Sequence, residues 1–197
     1  MISALDALAR LRDGNRRFVV DVKSRETLPS RARRIELAAG QEPFAAILGC
    51  SDSRVPVEIV FDQGLGDLFE VRTAGNVADA LALGSIEYAL EHLPIRVVVI
   101  LGHEKCGAVA AAASGRKMET PNLQAIVDKI APGIANLPGD HKSQEFLRKA
   151  EDANVLHCAT DLIAESPIIL RETAANNVEI IKAIYSLATG QVRRLVG

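Results

Sequence analysis

Two short apolar runs constrain this chain most: Phe-Ala-Ala-Ile-Leu-Gly at 44–49 and Ile-Arg-Val-Val-Val-Ile-Leu-Gly at 95–102. Neither alternates polar with apolar, as a strand with one wet face does, and both are partly β-branched. They read as strands buried on both faces, the mark of a parallel sheet covered by helices. Residues 67–73 and 179–187 are the third and fourth strand candidates.

Helical patterns fall between and around these runs. Leu5, Leu8, Leu11 and Phe18, with charges between them, describe an amphipathic N-terminal helix. A second covers 30–39, with Ser30 as its N-cap and Gly40 as its stop. Further stretches are 84–93, closed by Pro94, the Ala-rich 107–114, 122–134 after Pro121, and 141–165. Pro132, Gly133, Pro138 and Gly139 mark a connection between two helices. The alternation predicts an α/β fold, a parallel-core β-sheet flanked by helices. It forms a single domain over 1–197, with a helical arm over about 1–40.

At 197 residues and 48% hydrophobic content, one core buries enough surface to need neither disulfide nor structural metal. A formal charge of −2, from 23 basic and 25 acidic side chains, lacks the basic surplus of a nucleic-acid binder. Arg31, Arg33 and Arg34 form the one dense basic cluster, which reads as a solvated helix face. No apolar run approaches a membrane span, and the early charges Asp6, Arg10, Arg12 and Asp13 do not fit a signal peptide. The expectation is a cytoplasmic protein with no membrane partner. In such a reducing compartment its three cysteines are thiols or metal ligands.

Two of those cysteines stand where chemistry is expected. Cys50 follows the first run, His103 follows the second, and Cys106 comes three residues later. In open α/β sheets, ligands bind at the carboxyl ends of the strands. Two thiolates and an imidazole suit zinc, and three protein ligands leave a fourth tetrahedral position for catalysis. Within Gly49-Cys50-Ser51-Asp52-Ser53-Arg54, the Asp52 and Arg54 side chains are close enough to pair. Arg54 would then keep Asp52 ionised and oriented as a proton acceptor beside the metal. Cys158 reads as a small core residue, and His92, His141 and His157 have no partner at metal spacing.

Cys-Ser-Asp-Ser-Arg at 50–54 and Gly-His-x-x-Cys-Gly at 102–107 resemble the β-class carbonic anhydrases. The resemblance extends over nearly the whole chain, including Gly-Asp-Leu-Phe-Glu-Val-Arg-Thr-Ala-Gly-Asn at 66–76. It implies one Zn2+ per chain on Cys50, His103 and Cys106, with Asp52 and Arg54 as the adjacent catalytic pair. The implied reaction is reversible hydration of carbon dioxide to bicarbonate and a proton, by hydroxide generated at zinc. A carbonyl sulfide or carbon disulfide hydrolase on the same scaffold, or a non-catalytic zinc-binding relative, are the alternatives.

Members whose Asp closes onto zinc carry a Trp three residues before the first cysteine. Here Ile47 stands there and the chain has no Trp, so an open site is expected. Gln41, Phe69 and Tyr88 resemble the substrate-pocket Gln, Phe and Tyr of the plant-like members, and Gly107 a place where backbone approaches substrate. In that family both subunits of a tight dimer build the pocket, which implies a homodimer or dimer of dimers.

Overall fold

The computed structural model describes residues 2–24 and 27–196. Four parallel strands form the sheet core: β1 (Ala45–Cys50), β2 (Leu68–Thr73), β3 (Val97–His103) and β4 (Glu179–Tyr185). A short β5 (Val192–Arg194) runs antiparallel to β4, giving the order β2-β1-β3-β4-β5. All six residues of β1 and all seven of β3 are buried, as expected of strands covered on both faces.

Successive side chains of these strands feed opposite layers. Ala46, Leu48, Val98 and Ile100 pack under α4 (Ala80–His92), α7 (Gln144–Ala164) and α8 (Pro167–Ala174). Ala45, Ile47, Val97, Val99 and Leu101 pack under α1 (Ala4–Val19) and the four-residue α3 (Val57–Val60). A third cluster caps the carboxyl edge, built from α5 (Gly107–Ala113), α6 (Pro121–Ile134) and the start of α7. The remaining helix, α2 (Arg31–Leu37), buries none of its residues, so its arginines do form a solvated face.

The helix ends follow from local chemistry. Ser3, Ser30, Thr120, Ser143 and Ser166 each cap a helix by accepting a backbone N–H. The α1 arm is tied to the sheet by Asn15, which donates to Val60 O and Gly190 O and accepts from Val192 N.

The structure departs from the sequence reading in several places. Strands β1 and β3 run one residue further, so Cys50 and His103 are the last residues of their strands rather than the first beyond them. Pro132 and Gly133 lie inside α6, and the connection to α7 is confined to 135–143. Pro132 lies two residues before the end of α6, where it costs the intrahelical bond its missing N–H would have made to Asp128 O. Gly133 is a contact glycine, since a Cβ there would lie 2.6 Å from His157 Cβ. Helix α4 begins at Ala80 rather than 84, its N-terminus capped by Asp79 Oδ1 on the amides of Leu81 and Ala82. Elements α3, α8 and β5 have no counterpart in the sequence reading. Ser166 followed by Pro167 is a helix-start signal that marks α8.

One sheet residue is poorly matched to its place. Glu70 on β2 stands level with Ile47, and its Oε1 is buried without a hydrogen-bond partner among the described residues. Burial, followed by the neighbouring Glu58 carboxyl, pushes the Glu70 carboxyl up to about 8, against the pull of Arg72. The folded protein therefore holds this proton more tightly than the unfolded chain does. Stability is unaffected by Glu70 below its ordinary value of 4.5 and declines as pH rises to about 8. Glu70→Gln is expected to match the parent near pH 4.5 and to exceed it by about 1–2 kcal/mol at pH 9, a figure reduced for partial exposure. Urea melts at the two pH values check this; equal differences at both would refute it.

Candidate metal centre

Strand register builds the site. Gly49 of β1 is level with Leu101 of β3, so the next residues bring Cys50 and His103 to the same sheet edge. The chain then turns back through Glu104 and Lys105, the latter in the left-handed region at φ 56°, and delivers Cys106 as the N-cap of α5. Gly102 permits this edge to lie under α7, because a Cβ there would collide with Val155 and lie 2.8 Å from Ile184 Cδ1.

One ligand atom each from Cys50, His103 and Cys106 lies within 4.8 Å of the others, and all three residues are buried. His103 Nδ1 is 2.9 Å from Glu104 O; as a donor there it leaves Nε2 with its lone pair free. That Nε2 is buried and has no hydrogen-bond partner among the described residues, an arrangement costly unless something binds it. Two thiols and one orphaned imidazole nitrogen fit a zinc ion, and two thiolates balance its charge.

One sulfur of the pair is prepared for ionisation at the expense of the other. The neighbouring Cys106 thiol, first of all, pulls the Cys50 pKa down; burial opposes this, and His103 and the main chain at Gly75 and Asp52 add to it. Gly75 N is 3.4 Å from Cys50 Sγ. Cys106 is pushed up by the same sulfur contact and by burial, with the Ala108 and Val109 amides opposing. A bound metal ion removes both protons, since the thiolate is the ligand.

Asp52 and Arg54 form a two-pronged pair. Arg54 Nε donates to Oδ1 at 2.9 Å and Nη2 to Oδ2 at 2.7 Å, while the Arg54 amide also reaches Oδ1 at 2.9 Å. The Arg54 side chain first of all holds the Asp52 carboxyl well below the usual carboxylate range. Asp52 Oδ2 lies 3.9 Å from His103 Nε2, beside the donor set. Arg54 Nη2 also donates to Lys105 O at 3.2 Å, linking the two loops.

Sequence reasoning missed the residues that hold these loops. Arg72, at the end of β2, donates to Cys50 O at 2.9 Å and Asp52 O at 2.7 Å. From α7, Asn154 donates to Gly75 O at 2.9 Å and Glu151 accepts from Cys106 N at 3.3 Å. A signal for the α7 pair was present: Glu151 and Asn154 interrupt the stripe formed by Phe146, Ala150, Val155, Cys158 and Leu162, where a polar residue must be satisfied.

The other expected pocket residues do not gather at this centre within one chain. Phe69 is level with Ala46, four residues short of the β2 carboxyl end, which is about 13 Å along the strand. Gln41 is exposed before β1. Tyr88 is 54% exposed on α4 and packs on His92 at 4.7 Å between ring centroids. Gly107 is exposed, and a Cβ there would meet nothing within 4 Å. Cys158 lies in the core, its Sγ 3.0 Å from Asn76 O. His157 faces Asp161 at 3.6 Å and His141 stacks on Phe146.

Fold and site together define a class: an α/β protein with three donors placed so that they could hold a metal ion at the carboxyl edge of a parallel sheet, beside an Asp–Arg pair. Residues 45–192 match the carbonic anhydrase family model. The chain is 41% identical over 186 residues to "Carbonic anhydrase 2" of Mycobacterium tuberculosis, covering 92% of this chain and 87% of that protein. It is also 41% identical over 187 residues to "Carbonic anhydrase" of Mycolicibacterium smegmatis, covering 92% and 88%. Among solved structures, the β-carbonic anhydrase CafA of Aspergillus fumigatus superposes with TM-score 0.73 at 28% identity, over 82% of this chain and 79% of that one. The Coccomyxa β-carbonic anhydrase in complex with acetazolamide gives TM-score 0.74 at 25% identity, over 83% and 76%. This chain belongs to the β-class carbonic anhydrase family.

Proposed function

We propose that the protein is a zinc enzyme that reversibly hydrates carbon dioxide to bicarbonate and a proton. One observation carries this reading: His103 Nε2 is buried without a partner between two thiols, with the Asp52 carboxylate 3.9 Å away. Cys50, His103 and Cys106 hold the metal. Zinc, when bound, lowers the pKa of a coordinated water from 15.7 to roughly 7 and so supplies hydroxide near neutral pH.

The chain's own residues do the rest. Cys50 and Cys106 supply negative charge as thiolates, and the Glu104 carbonyl fixes the His103 tautomer through Nδ1. Asp52, kept ionised by Arg54, offers Oδ2 as an acceptor for a proton or hydrogen bond at the donor set. Arg72 and Lys105 fix the position of that carboxylate through the main chain and through Arg54. The paired carboxylate has no use in a purely structural metal site.

A second copy of the chain completes the pocket in this proposal. Leu81, 82% exposed, and Tyr88, 54% exposed, share one face of α4 with the exposed Gly84, an apolar stripe at helical spacing that suits a subunit contact. Gln41, Phe69, Tyr88 and Gly107 then contribute to substrate binding from both subunits. No described helix is long and apolar enough to cross a membrane, which accords with a cytoplasmic setting.

Metal analysis and stopped-flow carbon dioxide hydration across about pH 6–9, where a metal-bound water ionises, test the proposal. One zinc per chain and hydration that rises with pH are expected. Absence of zinc, or negligible hydration with rapid sulfide release from carbonyl sulfide, overturns it.

A further inference from the structure

Glu151 lies on α7, is 5% exposed, and points its carboxylate at the turn between two metal-ligating residues. Oε1 accepts the Cys106 amide at 3.3 Å. Among the described residues no lysine or arginine forms an ion pair with it, and burial pushes its carboxyl above the usual carboxylate range. An ionisable group buried without a counter-ion is costly, so its position calls for a reason beyond packing.

That reason lies in the turn. Lys105 is held in the left-handed region at φ 56°, a conformation that costs a non-glycine residue energy and persists only when its surroundings impose it. The amide that follows it, that of Cys106, is the one Glu151 receives. One helical turn along α7, Asn154 donates to Gly75 O at 2.9 Å, and Gly75 in turn directs its N–H at Cys50 Sγ at 3.4 Å. A single helix thus steadies the surroundings of both sulfurs.

We infer that Glu151 is a positioning residue for the metal centre: by accepting the Cys106 amide it fixes the end of the left-handed turn and the direction of the Cys106 sulfur. The inference rests on the zinc reading above. It acts through Cys106, with no contact to substrate.

The test compares Glu151→Leu, which leaves the Cys106 amide unpaired, with Glu151→Gln, whose amide oxygen can still accept it, more weakly than a carboxylate. Leu162→Ala is the control, removing core volume from the same helix at a residue packed under the sheet. Zinc release to a chromophoric chelator and the visible spectrum of the cobalt-substituted protein are measured in each. Release from Glu151→Leu is expected to be at least about tenfold faster than from the parent, with an altered cobalt spectrum, because partners behind a ligand typically govern 10–100-fold in affinity. Glu151→Gln should fall between, and Leu162→Ala should release zinc at the parent rate. Parent-like release and spectrum in both Glu151 variants overturn the positioning role. So does equal acceleration in Glu151→Leu and Leu162→Ala, or in Glu151→Leu and Glu151→Gln. A parent protein that takes up no zinc instead sinks the metal reading itself.

Discussion

Cys106→Ala is expected to abolish zinc binding and carbon dioxide hydration together while leaving a folded protein. Cys106 is one of three donors, and a centre reduced to one thiolate and one imidazole is left with too few ligands for tight tetrahedral binding. Affinity should fall by well over about a hundredfold, since even partners behind the ligands account for 10–100-fold. The fold should survive because the two sheet-facing clusters do not include Cys106, which belongs to the smaller cap over the carboxyl edge. Cys158→Ala is the matched comparison: this buried thiol packs between the sheet and α7 and should keep zinc and activity. Metal content, circular dichroism and hydration rate on both variants decide the matter. Full zinc occupancy in Cys106→Ala would remove it from the ligand set.

Asp52→Ala separates binding from chemistry. The carboxylate is absent from the donor set, and Arg54 holds both of its oxygens. The variant should therefore retain one zinc per chain. Its hydration rate should fall by about 10²–10⁴-fold, the range typical for loss of a positioned proton acceptor. Because Arg54 holds the Asp52 carboxyl well below the usual range, the group stays ionised from neutral pH into mild acid. Loss of its function should then appear as a lower rate across the whole profile rather than as a displaced inflection. An Asp52→Ala protein with full zinc and undiminished hydration would remove Asp52 from the mechanism.

The parts of the site written in adjacent residues were legible before any coordinates. Asp52 and Arg54 are two residues apart, and the structure pairs them as that spacing implies. Cys50 and His103 were placed at strand ends by the apolar runs that precede them, although each strand proved to include its ligand. The holders of these residues were hidden because they come from elsewhere in the chain: Arg72 reaches Cys50 O from 22 residues away, and Glu151 reaches Cys106 N from 45 residues away. Periodicity reports a residue's own element and says nothing about which element lies opposite.

Short elements were lost for a related reason. Helix α3 has four residues and β5 three, fewer than a window needs to show a period. Strand β5 exists through its ladder with β4 and the Asn15 side chain bonding Val192 N, not through any propensity of Val-Arg-Arg. Pro132 and Gly133 read as a break because both residues usually end helices. Gly133 serves the close approach of His157 instead, and Pro132 sits where the helix is already ending.

The sequence by itself determined the chemistry available: two thiols, an imidazole and a carboxylate–guanidinium pair, each tied by hydrophobic pattern or local spacing to a strand end. Tertiary structure decided that these meet. The order β2-β1-β3-β4 places the Cys50 strand beside the His103 strand, and the register brings both ligands to one edge. Contacts from β2 and α7 then lock their loops. Strand order and register are set by burial of two opposed faces over the whole sheet, a global condition that no window along the chain contains.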